Sequence, residues 1–196
     1  MSNTTDSHQR SAGGVRSVFL VGFMGSGKSC VGQALALRLG WPFLDLDQRI
    51  EQRAGRTVAQ IFRDEGEPSF RRMEHDELRN VLLNSPHPQV VALGGGAFAQ
   101  ADNAALLSAH GVVSVFLDAP AEVLWQRCLH DPQERPLRQT FEQFEALYRR
   151  RRVHYLKATR RIDSANQGVE QIASDLAAQV QAGEFSGREP GQEKMR

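Results

Sequence analysis

Apolar residues gather in short unbroken runs, separated by longer stretches where they recur every three or four positions. Ser17–Val21 (SVFLV), Gln89–Leu93 (QVVAL) and Val112–Leu117 (VVSVFL) show no strict alternation, the pattern of strands buried on both faces. Pro42–Leu46 predicts another short strand, and Arg161–Asp163 a brief last one. Gly27–Leu39 places Val31, Ala34, Leu35 and Leu39 on one face and predicts a helix. Asp47–Ala54 and Val58–Asp64 predict short helices; Glu67–Leu83 predicts a longer one, with Pro68 in its first turn. Asn103–His110, Ala121–Cys128, Phe141–Lys157 and Val169–Val180 complete the helices. Alternating strands and helices predict an α/β fold, a parallel sheet covered on both faces. Ligands of such sheets bind at the carboxyl ends of the strands, where the notable motifs fall.

A length of 196 residues suits one domain, and 40% hydrophobic content suffices for a core. We expect that domain over residues 15–182. Residues 1–14 are polar, lack the apolar segment of a secretory signal and predict a disordered lead-in; from Gly183 the chain is again poor in apolar residues and predicts a loose tail. A formal charge of +1 gives no bulk attraction to nucleic acid or to a membrane surface, and no stretch reaches membrane-spanning length. The two cysteines and six histidines form no zinc-like spacing.

Gly22-Phe23-Met24-Gly25-Ser26-Gly27-Lys28-Ser29 fits the phosphate-loop pattern of Gly, four residues, Gly-Lys-Ser, between an apolar strand and an amphipathic helix. Its glycines let backbone N–H groups close around phosphate oxygens, Lys28 brings a positive charge, and Ser29 offers a hydroxyl to Mg²⁺. Asp45 and Asp47 follow at the end of the second strand, on one face if the chain there is extended. One can assist Mg²⁺ and the other accept a hydroxyl proton; Asp47 also suits a helix N-cap. Asp118, ending the strand at 112–117, competes for the metal role.

Arg71, Arg72 and Glu74 fall early in the helix at 67–83, and arginine grips a carboxylate through paired N–H groups. Gly94-Gly95-Gly96 permits close backbone approach to a ligand. The polar segment 129–140, containing Arg135, suits a lid that excludes water. Arg127 suits the adenine ring. Of the run Arg149–Arg152, a helix can turn only one or two toward a site.

In order, the pieces LVGFMGSGKS, FLDLDQRIE, FRRME, LGGGAF and RPL resemble the shikimate kinase family over about residues 16–180. The resemblance implies a three-layer P-loop fold like nucleoside monophosphate kinases, with a five-stranded parallel sheet and a mobile lid. It implies transfer of the ATP γ-phosphate to the 3-hydroxyl of shikimate, with Mg²⁺, by a cytoplasmic, monomeric enzyme of aromatic amino acid biosynthesis that engages neither nucleic acid nor membrane. Gly25, Ser26, Gly27, Lys28, Ser29 and Cys30 would hold the nucleotide, with Arg127 beside adenine and Arg135 in the lid. Ser29 and Asp45 would serve the metal, and Asp47 would contact the substrate hydroxyls as base. Arg71 and a late arginine would grip the carboxylate, with Gly94, Gly95 and Gly96 along the ring. The spacing to Tyr155 selects Arg151; counting back from Asp163 selects Arg150. Cys30 and Val153-His154 depart from the family's usual Thr and Pro-Leu. Gluconate kinase and a nucleotide-dependent switch are the rival readings, though no Asn-Lys-x-Asp guanine motif occurs.

Overall fold

The structure is a computed structural model that describes residues 17–84, 88–130 and 140–185. The expected N-terminal lead-in, nearly all of the lid segment with Arg135, and the tail beyond Phe185 lie outside the described residues.

Five strands form one parallel sheet: β1 (Ser17–Val21), β2 (Phe43–Asp45), β3 (Gln89–Ala92), β4 (Val113–Asp118) and β5 (Arg160–Asp163), in the order β2-β3-β1-β4-β5. β1 lies at the centre, pairing Ser17 with Gln89 of β3 and Val18 with Val113 of β4. Its unalternating sequence follows from burial on both sides. Phe19 and Val21 join one core with Phe23, Phe116, Phe144 and Tyr155; Val18 and Leu20 join the other with Val31, Leu35, Ile172 and Leu176.

The helices are α1 (Lys28–Leu39), α2 (Leu46–Ala54), α3 (Val58–Asn84), α4 (Ala101–Ala109), α5 (Ala121–Leu129), α6 (Phe141–Tyr155) and α7 (Val169–Gln181). α3 spans both helices expected at 58–64 and 67–83, and Gly66 breaks it between them with φ 77° and ψ 171°. Pro68 therefore stands in the first turn after a break, where its missing N–H costs little. Thr140 and Gln143 close a reciprocal capping box that starts α6. Phe185 packs against the α1/α7 core, and Arg160 lies over its ring. Among the described residues, no helix is long and apolar enough to cross a membrane.

β2 ends sooner than expected, at Asp45. The expectation that Asp45 and Asp47 share a face of extended chain is therefore corrected. Asp45 is the N-cap of α2, its Oδ1 accepting from the N–H groups of Asp47 (3.1 Å) and Gln48 (3.4 Å), while Asp47 lies in the helix's first turn. A carboxylate at that cap satisfies donors that the helix leaves unpaired.

Candidate active site

The phosphate loop joins β1 to α1 at the carboxyl edge of the sheet. Gly25 and Gly27 have φ of 78° and 87°, and the loop ends at the N-terminus of α1, the positive end of that helix's dipole. Lys28 Nζ donates to the Phe23 carbonyl at 3.0 Å. Ser26 is buried, and its hydroxyl has no partner among the described residues. Ser29 Oγ donates to Asp45 Oδ2 at 2.6 Å. This pair brings hydroxyl and carboxylate oxygens together beside the loop. Cys30 is exposed on the first turn of α1.

The two carboxylates diverge. Asp45 is committed to Ser29 and to the α2 cap. Asp47 instead faces Gly94 and Glu74: a methyl group added at Gly94 would stand 2.5 Å from Asp47 Oδ1 and 2.6 Å from Glu74 Oε1. Only glycine allows that approach.

Arg71 is clamped from several sides. Its Nη1 donates to Glu74 at 2.9 Å, and its Nε and Nη2 donate to one oxygen of Glu67 at 3.1 and 2.8 Å. Phe70 and Phe62 lie 5.2 and 5.9 Å from its guanidinium carbon. A side chain at Gly96 would overlap the guanidinium. Glu74 is fully buried, and its second carboxylate contact is Gln100 at 2.6 Å. Burial pushes the Glu74 carboxyl up to about 7, and the charge of Asp47 adds to that; the Arg71 charge opposes it.

Of the two late arginines considered, Arg151 is the one that packs beside the triple glycine. It is 9% exposed, donates to the Gly95 carbonyl at 3.2 Å and lies over the Phe23 ring of the phosphate loop at 5.8 Å. The Tyr155 hydroxyl donates to the same carbonyl. Burial, joined by the charge of Arg71, holds the Arg151 guanidinium below its ordinary value; Tyr155, Glu67 and Glu74 act the other way. Two cations thus face one region and repel, while the N–H groups of Gly95 and Gly96 donate to nothing among the described residues. Such a place favours an anion. Gly95 also meets the phosphate loop, since a methyl group there would sit 3.6 Å from Met24 N.

Arg150 is exposed. Arg149 pairs with Glu145 at 2.6 Å, and Arg152 with Asp118 at 2.7 Å. Asp118 is buried and accepts from Tyr148 (2.7 Å), Arg152 and Arg161 (2.8 Å). Burial works against its charge, yet Arg152, Tyr148 and Arg161 outweigh that and hold it below the usual carboxylate range. The structure thus ties Asp118 into an ion cluster with Arg152 and Arg161. Arg127 Nη2 donates to the Ser164 carbonyl at 2.7 Å, bringing that side chain to the loop before α7.

Sequence reasoning left Glu74 and Tyr155 without roles. Their signals were the i,i+3 spacing from Arg71 and the i,i+4 spacing from Arg151, which put each pair on one helical face.

A profile of the shikimate kinase family matches residues 24–181. The chain belongs to the shikimate kinase family. A shikimate kinase of Geobacter sulfurreducens is 43% identical over 168 residues, covering 84% of this chain and 91% of that protein. One from Persephonella marina is 35% identical, covering 85% of this chain and 99% of its own length. Among solved structures, the shikimate kinase of Acinetobacter baumannii in complex with shikimate superposes with a TM-score of 0.78 at 35% identity, over 87% of this chain and 94% of that one. The matched span contains Lys28, Ser29, Asp45, Asp47, Arg71, the triple glycine, Arg127 and Arg151. Membership in the shikimate kinase family separates the chain from the gluconate kinase and switch readings.

Proposed function

We propose that this chain transfers the γ-phosphate of ATP to the 3-hydroxyl of shikimate, giving shikimate 3-phosphate and ADP. The observation that carries this is the convergence of two arginines on the triple glycine, Arg71 packed against Gly96 and the buried Arg151 on the Gly95 carbonyl, beside the phosphate loop. Such a pair suits a planar carboxylate. Asp47, beside Gly94, would then meet the hydroxyls at the opposite side of a small ring.

In this reading the 3-hydroxyl oxygen attacks the γ-phosphorus, the bond to the β-phosphate oxygen breaks, and the hydroxyl proton passes to Asp47. Lys28 stabilises charge on the β- and γ-phosphates, and the loop N–H groups from Gly25 to Cys30 hold the rest. Arg127 lies on the adenine side. Arg135, outside the described residues, is assigned from the motif alone to the transferring phosphoryl group. Ser29 and Asp45 suit Mg²⁺, which takes few protein oxygens and keeps its waters. Bound there with the nucleotide, it would neutralise phosphate charge. We also propose a cytoplasmic monomer with small-molecule substrates only.

The test is coupled ADP release with MgATP, comparing shikimate, quinate, gluconate and no acceptor. Saturable turnover with shikimate alone is expected. ATP binding without turnover on shikimate would reject the acceptor assignment.

A further inference from the structure

Arg71 is not vacant in the substrate-free chain. Its Nε/Nη2 edge, the edge that receives a carboxylate side-on, already holds Glu67 Oε1 at 3.1 and 2.8 Å. The same Glu67 charge favours the charged form of Arg151. One carboxylate of the chain thus acts on both arginines assigned to the acceptor carboxylate.

The partners differ in how firmly they are held. The Arg71 side chain is 15% exposed, fixed by the buried Glu74, by the Phe62 and Phe70 rings and by the close approach of Gly96. The Glu67 side chain is 51% exposed and has no other hydrogen bond among the described residues. It follows directly on Gly66, the break in α3. An exposed carboxylate next to a backbone break can swing out; the arginine cannot.

We propose that Glu67 is a specificity-determining residue, an internal stand-in for the acceptor's carboxylate that occupies Arg71 until the acceptor displaces it. This rests on the carboxylate role proposed for Arg71. Two carboxylates on one guanidinium edge repel, so each anion that enters must displace Glu67. A ligand with a planar carboxylate and correctly placed hydroxyls regains that cost. A bare inorganic anion does not, so Glu67 keeps sulfate and phosphate off the arginines. Exposed ion pairs of this type are weak, which makes the exchange reversible on each turnover.

The experiment compares wild type, Glu67→Gln and Glu67→Asp. Glutamine removes the charge at the same length; aspartate keeps a charge nearby but withdraws it from the arginine edge. Displacement predicts that both variants lower the acceptor KM, about two- to fivefold for glutamine. Both should also tighten sulfate binding, read by calorimetry with ADP filling the phosphate loop. A KM that stays the same or rises in Glu67→Gln overturns the proposal, because Glu67 then remains in place and only orients Arg71. A fall confined to the glutamine variant also overturns it, since the charge then acts through space. The sulfate measurement needs no turnover, so it separates failure of this inference from failure of the acceptor assignment. Melting curves of all three proteins check folding.

Discussion

The phosphate loop is one continuous stretch, Gly22–Ser29, whose contacts come largely from backbone geometry. The proposed acceptor side draws Asp47 from α2, Arg71 from α3, Gly94–Gly96 from beyond β3 and Arg151 from α6. The first kind of site survives any change that keeps its local conformation. The second depends on packing between elements distant in sequence, and it stores charge: two arginines and two carboxylates crowd around three glycines. That difference teaches where the chain is vulnerable. Backbone N–H groups need only the loop, whereas a buried guanidinium needs every neighbour that cancels its desolvation.

The sharpest test of the division is Asp47→Asn. Losing a general base typically costs about 10²- to 10⁴-fold in rate, and we expect kcat to fall by that order while calorimetry still finds ATP bound. Near-normal turnover would remove Asp47 from the chemistry. Next in size is Arg71→Lys, which keeps the charge and loses the fork. The acceptor KM should rise about tenfold or more, as for loss of hydrogen bonds to a charged group, with the ATP KM little changed. If both constants rise together, the two halves are not separable.

A smaller effect is expected from Asp118→Asn, which leaves Arg152 and Arg161 without their carboxylate. Stability should drop by about 1–3 kcal/mol, measured by urea unfolding. The folded carboxyl titrates below its ordinary value, so its contribution is complete above that ordinary value. It is lost as pH falls through the lower folded value. Glu74 has the opposite sign. Its folded value of about 7 exceeds the unfolded value, so the folded state keeps a proton that the unfolded state has released. Stability should therefore decline as pH rises from the ordinary carboxylate range to about 7, then level off. Glu74→Gln should flatten that decline. The smallest effect belongs to Arg150→Ala: an exposed arginine on the far side of α6 should change stability and KM by less than about 0.5 kcal/mol equivalent.

Much of the frame was legible in the chain. SVFLV, QVVAL and VSVFLD read as buried strands because both their faces are covered, and Pro68, suited to a first turn, marked where the second part of α3 begins. The phosphate loop was legible because all its parts are contiguous. Three things were not. The short span of β2 turned on Asp45 capping a helix, a choice between two local hydrogen-bond patterns that propensity does not decide. The choice between Arg150 and Arg151 depended on helical phase against a distant carbonyl, Gly95. The burial of Glu74 depends on Gln100 at the start of α4 and on the close approach of Gly94, and the i,i+3 spacing from Arg71 announces a pair but not that the carboxylate leaves water.

α6 carries two parallel rows at i,i+4 spacing. Tyr148 and Arg152 reach Asp118, while Arg151 and Tyr155 reach the Gly95 carbonyl. Each inserted residue turns the remainder of a helix by about 100°. One extra residue after Tyr148 would leave that tyrosine in place and swing Arg151, Arg152 and Tyr155 off their targets together. Outward positions such as the exposed Arg150 are not bound by that phase. The length of the helix is locked, because a single frame of rotation serves both the ion cluster and the anion seat.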